Sequence, residues 1–170
     1  MNILMSIKNY LCPERKYVVR EGNHFADGKS PMILKLKKER KIFIQSNPTW
    51  VYFHSREEDQ SAINKIIGLS EEVNPHINSW RVGYSYSVND NSIKLYFYEY
   101  NNEIRSSYFV KKIQIGDSFI LKVNMHGGMF LDDIYIGRIN SRAKYGFLLE
   151  PYFGGKMPAP HDWEILAIIF

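Results

Sequence analysis

Sulfur chemistry is scarce in this chain: its 170 residues include a single cysteine, Cys12, so an intrachain disulfide is excluded and nothing points to an oxidising compartment. Long apolar runs are missing too. The longest is Ile165 to Phe170, far below the roughly 20 residues with which a helix spans a bilayer. Residues Met1 to Ser6 are mildly apolar, but Lys8 interrupts them and no small-residue cleavage site follows; Asn9, Tyr10 and Leu11 do not fit the small-residue context of a lipoprotein cysteine. A soluble, intracellular protein is the expectation, with export left open.

The familiar signatures of chemistry are absent as well. Five histidines, His24, His54, His76, His126 and His161, are scattered, with neither an H-E-x-x-H pattern nor C-x-x-C pairs to gather metal ligands. Asp132-Asp133 after Gly127-Gly128 offers carboxylate oxygens to a calcium ion, yet two adjacent acids in a turn are ordinarily solvated. No G-x-S-x-G elbow, P-loop or G-x-G-x-x-G turn occurs. No metal, cofactor or catalytic residue is therefore assigned. No repeat, low-complexity tract or linker divides the sequence, and its length suits one domain over residues 1–170.

Aromatic residues, in contrast, are plentiful. Twelve Tyr and ten Phe recur with Val and Ile in short segments separated by Asn, Asp, Gly and Pro, which is the composition of a sheet protein. Twelve short strands are predicted, among them Met32 to Lys37, Lys41 to Gln45, Trp50 to Phe53, Trp80 to Ser87, Ile93 to Tyr100, Glu103 to Tyr108 and Lys111 to Ile115. One helix is predicted, from Glu57 to Ile67: its first turn is acidic, Ile63, Ile66 and Ile67 have helical spacing, and Gly68 stops it. The expected fold is all-β, a two-sheet antiparallel β-sandwich, jelly-roll-like, with one short helix near residues 57–67.

Charge is unevenly spread. The net charge is +4, but the first 41 residues hold ten basic against four acidic side chains, and the rest hold twelve against fourteen. The cluster Lys35, Lys37, Lys38, Arg40 and Lys41 would attract phosphate or an anionic polymer. These residues also flank Ile33, Leu34, Leu36, Ile42 and Ile44, as lysines do on the exposed edges of a hairpin, and nucleic acid is not the expected partner.

The central hairpins give the sharpest inference. A two-residue turn at Asp90-Asn91 pairs Tyr86 with Leu95, Tyr84 with Phe97 and Val82 with Glu99 on a mostly apolar face. The opposite face then sets Ser85 against Tyr96, Gly83 against Tyr98 and Arg81 against Tyr100. A turn at Asn101-Asn102 adds Arg105 beside Tyr98. This second face is a polar shelf of Tyr96, Tyr98 and Tyr100 with Arg81, Arg105 and Lys94, its rings left open beside small Gly83 and Ser85. Tyrosine rings accept the C–H faces of sugars while Arg, Ser and phenol groups bond to the hydroxyls. Tyrosine pairs also stabilise sheet surfaces without binding anything. Glu99 is the one acid placed on an inward strand face, and glycoside cleavage needs a pair.

The segment Leu149-Glu150-Pro151-Tyr152-Phe153-Gly154-Gly155-Lys156-Met157-Pro158-Ala159-Pro160-His161-Asp162-Trp163 combines prolines and a glycine pair into a fixed, sharply turned path. Adjacent His161 and Asp162 point opposite ways if extended, and Asp162 suits a turn cap. Together with Asn64-Lys65-x-x-Gly68 and His76-x-Asn78-Ser79-Trp80-Arg81-x-Gly83, the Pro151-Tyr152-Phe153-Gly154-Gly155 and Pro158-Ala159-Pro160-His161-Asp162 blocks resemble a family of small uncharacterised bacterial β-sandwich proteins, over about residues 50–170. That resemblance implies a fold similar to the concanavalin-like jelly roll of lectins and β-glucanases, and no activity. The chain departs from the enzymes of that fold: no E-x-D-x-x-E strand occurs, and Gln114-Ile115-Gly116 lacks the histidine of the Q-[IV]-H motif.

The expected function is non-catalytic binding of a carbohydrate or acidic glycan, with Arg81, Tyr96, Tyr98, Tyr100, Arg105 and His161 as ligand-binding residues. One alternative is a polysaccharide-cleaving enzyme, lyase or hydrolase, using Glu99, Tyr98, Arg105 or His161. Another is a protein-interaction or assembly module. Oligomeric state is not readable from these residues.

Overall fold

The computed structural model describes residues 14–28 and 32–170; Cys12 and the leader-like start at residues 1–6 lie outside them. Twelve strands follow in order: β1 (Glu14–Val19), β2 (Ile33–Lys35), β3 (Arg40–Gln45), β4 (Asn64–Ser70), β5 (Ser79–Ser87), β6 (Ser92–Asn101), β7 (Ile104–Ile113), β8 (Ser118–Val123), β9 (Gly128–Leu131), β10 (Ile134–Arg138), β11 (Tyr145–Leu149) and β12 (Trp163–Ile169). They form two six-stranded sheets, ordered β1-β12-β3-β8-β9-β10 and β2-β11-β4-β5-β6-β7, with every paired neighbour antiparallel. The fold is an all-β sandwich. Alternate residues of both sheets, such as Ile42, Ile44 and Leu121 facing Val82, Leu95 and Phe97, share one buried core, the arrangement that period-2 side chains produce when two sheets stack.

Several expectations need correction. The helix occupies only Glu57–Gln60 (α1); Asn64 to Ile67 belong to strand β4. Ile66 and Ile67 are both fully buried because β4 carries a β-bulge: Lys65 pairs with Gly83 and Ile67 with Val82, leaving Ile66 as the extra residue. Two successive buried isoleucines imitate a helical stripe. The lysine-rich hairpin does not form, since β2 edges one sheet while β3 lies inside the other, and Leu36 between them is buried in the core. Trp50 to Phe53 is not a strand; Pro48–Trp50 makes a 3-10 turn capped by the Asn47 side chain. The segments Glu103 to Tyr108 and Lys111 to Ile115 merge into β7, with a bulge absorbed opposite Leu95 and Tyr96.

The central hairpins keep the expected faces but change partners. Ser87 pairs with Ser92, so the β5–β6 loop is Val88 to Asn91, and each cross-strand pair moves by two residues: Arg81 faces Tyr98, Gly83 faces Tyr96 and Trp80 faces Glu99. Moving by two preserves which side each residue faces, because the side-chain period is two. The β6–β7 turn is Asn102-Glu103, both with positive φ (49° and 67°), so Tyr100 faces Arg105 and Tyr98 faces Ser107. Ile93, Leu95 and Phe97 are buried in the core, and the even-numbered residues of β6 look outward.

Candidate functional site

Cross-strand rows on the outer face of the second sheet build the site. One row runs Leu149, Gly68, Arg81, Tyr98, Ser107; the next runs Phe147, Ser70, Ser79, Tyr100, Arg105. Lys65 joins this face because of the bulge. Counting back from outward Gly68 in an unbroken strand would place Lys65 inward, and the extra residue Ile66 reverses it.

The shelf is roofed rather than open. After β11 the chain turns through Glu150 and Pro151 and lays Tyr152 along β4, where Lys65 N–H donates to Tyr152 O at 2.8 Å and Tyr152 N–H donates to Lys65 O at 2.9 Å. Gly154 permits this close approach, because a β-carbon there would stand 2.1 Å from Ile63 O and 3.0 Å from Lys65 Nζ. His24 stacks on Tyr152 with centroids 5.4 Å apart, and Phe25 meets the same ring edge-on at 5.0 Å. On the other side His76 meets Tyr100 edge-on at 4.9 Å. Between these walls lies a cavity of about 580 Å³, lined by Lys65, Arg81, Tyr98, Tyr100, Arg105, Tyr152, His76 and Phe25 among others. That volume is in the range that holds a small polar ligand.

Its electrostatics are one-sided. Among the described residues, Lys65, Arg81 and Arg105 line the cavity with one carboxylate, Glu150, and none of the three cations forms an ion pair. Burial, then the charges of Arg81 and Arg105, hold the Lys65 ammonium down at about 8. Burial likewise lowers the Arg81 guanidinium to about 10, against the opposing influence of Tyr98, Tyr100 and Tyr152, and its Nε is buried with no hydrogen-bond partner. Lys65 Nζ lies over two ring faces, 4.8 Å from the Tyr98 centroid and 5.5 Å from that of Tyr152, so cation–π attraction replaces part of its lost hydration. Tyr98 Oη and Tyr100 Oη are hydrogen-bonded at 3.4 Å; burial, followed by the bond to Tyr100, pushes the Tyr98 phenol up to about 12.

Four of the six residues expected to bind ligand, Arg81, Tyr98, Tyr100 and Arg105, meet here. Tyr98 is more enclosed than expected, 6 % exposed. Tyr96 faces outward beyond the cavity, bonded to Ser85 Oγ at 3.3 Å and edge-on to Phe109 at 6.1 Å. The open space expected beside Gly83 is filled: a β-carbon there would stand 2.4 Å from Ile63 Cγ2. His161 lies outside the cavity, its Nε2 at 3.1 Å from Thr49 O. Asp162 accepts from Glu21 N–H at 2.9 Å and Arg20 Nη1 at 2.8 Å, which tie the Pro158–Asp162 block to the loop after β1. Glu99 accepts from Ser106 Oγ at 3.0 Å. Asp132 pairs with Lys111 and accepts from Ile120 N–H. No cluster of three or more His, Cys, Asp or Glu side chains is found among the described residues, and none of the helices there is long and apolar enough to cross a membrane.

Lys65, His76, Phe25 and Tyr152 had not been foreseen as cavity residues. The signal for Lys65 lies in Asn64-Lys65-x-x-Gly68, where the polar pair Asn64-Lys65 interrupts an isoleucine-rich run just before a glycine, but helical spacing of the isoleucines accounts for the same residues. The molecule is thus an all-β sandwich with a basic, tyrosine-walled recess on one sheet. No known protein family and no curated protein sequence matches the chain.

Proposed function

We propose that this protein binds an acidic carbohydrate in the recess between the second sheet and the Glu150–Gly155 segment, without transforming it. The observation that carries this reading is the convergence of Lys65, Arg81 and Arg105, none ion-paired among the described residues, on the faces of Tyr98, Tyr100 and Tyr152. Lys65 and Arg81 are desolvated, with Arg105 at the exposed rim; desolvated cations are costly unless an anion completes them, and aromatic walls favour a ring with apolar C–H faces over a bare inorganic anion. The residues weighed for polysaccharide cleavage are dispersed: Tyr98 and Arg105 line the recess, whereas Glu99 and His161 are bonded elsewhere. A concanavalin-like jelly roll, as the resemblance implies, accords with two sheets between which the chain passes repeatedly.

Calorimetric titration with uronic-acid oligosaccharides and their neutral counterparts tests the proposal. The acidic ligands are expected to bind at least about tenfold more tightly, to lose that advantage in Arg105→Met, and to be recovered without new reducing ends or unsaturated products. Equal affinity for neutral sugars, or product formation, overturns it. A second reading, an assembly module, rests on the exposed edge strand β7, where Ile104 and Phe109 are 72 % and 51 % exposed; a concentration-dependent elution volume abolished by Phe109→Ser would favour it.

A further inference from the structure

The recess contains a nucleophile that anion binding alone does not require. Among the described residues, Lys65 is the only primary amine that lines the cavity. Its backbone is clamped on both sides by the hydrogen bonds to Tyr152, and the close approach of Gly154 confines its Nζ. The side chain crosses the Tyr98 face and ends beneath Tyr152, near enough to Arg81 and Arg105 for both charges to act on it. An ordinary structural lysine reaches water or pairs with a carboxylate. This one is held against apolar ring faces, among other cations, at the wall of a ligand-sized space.

We propose that Lys65 forms a reversible imine with the carbonyl group of an acid whose carboxylate is held by Arg81 and Arg105, a 2-oxo acid or the open-chain form of an acidic sugar. The deprotonated Nζ lone pair attacks the carbonyl carbon and gives a carbinolamine. Nitrogen then loses a proton, the carbinolamine hydroxyl leaves as water, and a C=N bond replaces C=O; no oxidant or reductant takes part. Desolvation among neighbouring cations is a recognised way to keep an amine deprotonated and nucleophilic near neutral pH, and burial does hold this ammonium low. The guanidiniums supply orientation, bringing the carbonyl to the amine. The inference rests on the anionic reading of the recess and narrows it to ligands that carry an electrophilic carbon.

The full chain is incubated at pH 7.5 with glyoxylate and cyanoborohydride, which reduces any imine to a stable secondary amine, and labelled lysines are located by peptide mapping. Lys65 is expected to be labelled about tenfold or more faster than exposed lysines such as Lys41, and a uronic-acid oligosaccharide is expected to protect it. Parallel labelling with glycolaldehyde, which has no carboxylate, should not favour Lys65. Lys65→Arg, which keeps the charge, should abolish the fast label while leaving the slow labelling elsewhere unchanged. Labelling of Lys65 no faster than that of exposed lysines, or equal preference with glycolaldehyde, overturns the proposal. Acidic oligosaccharide binding in titration without selective labelling would sink the imine and leave the binding reading standing; selective labelling that no acidic sugar blocks would support the imine and sink the carbohydrate reading.

Discussion

The side chain of Arg81 fills the space that a β-carbon on Gly68 would need: such a carbon would lie 2.6 Å from Arg81 Cγ and 2.4 Å from Trp80 O. Backbone on one side and a confined guanidinium stem on the other leave no direction for relief. Gly68→Ala is therefore expected to destabilise the fold by about 1–3 kcal/mol and to weaken acidic-ligand binding, read by chemical denaturation and by titration. Unchanged stability would mean that β4 and β5 separate more easily than their register implies.

Arg81 itself separates stability from binding. Its Nε is buried without a partner, and removing a desolvated, unpaired charge relieves the fold. Arg81→Met should leave stability equal or slightly raised while acidic-ligand affinity falls about tenfold or more. Loss of both together would assign Arg81 a structural part instead.

The pH dependence has two opposite signs. Lys65 is held at about 8 in the fold against 10.5 ordinarily, so below 8 the folded state carries the full penalty of a buried ammonium. As pH rises from 8 toward 10.5 the unfolded chain binds more protons than the folded one, and the Lys65 contribution to stability rises. Anion affinity runs the other way, strongest below 8 and falling as the ammonium discharges. Titrations from pH 6.5 to 9.5 should show this fall, flattened in Lys65→Arg; thermal melts over the same range should show the rise, absent from Lys65→Met.

The Asn102-Glu103 turn holds Glu103 at φ 67°, a left-handed conformation that a side chain with a β-carbon resists and that glycine adopts freely. Glu103→Gly should stabilise the hairpin by about 0.5–1 kcal/mol, raising the midpoint of thermal unfolding by roughly 1–4 °C, with no change in ligand affinity.

Much of the architecture was legible in the sequence because aromatic and β-branched alternation marks strand faces directly. Ile93, Leu95 and Phe97 against Tyr96, Tyr98 and Tyr100 announced which side was core. Hairpin turns were less legible: Asn tolerates several turn positions, so Asp90-Asn91 and Asn101-Asn102 were plausible while the chain uses Val88 to Asn91 and Asn102-Glu103. Parity nevertheless survived, and with it the convergence of Arg81, Tyr98, Tyr100 and Arg105. The roof of the recess was not legible. Tyr152, His76 and Phe25 come from irregular segments distant in sequence, whose meeting depends on tertiary bonds such as Phe153 N–H to His24 O at 2.7 Å, and no local pattern encodes such contacts.

The irregularity at Ile66 makes the recess depend on how two strands are paired rather than on its chemistry alone. Were β4 to zip evenly against β5 with its length unchanged, Ile66 would slide opposite Gly83 and Lys65 opposite Tyr84, and the amine would turn from ligand to core. A misalignment of one position, with no substitution at all, separates a basic pocket from a sandwich that has lost its amine.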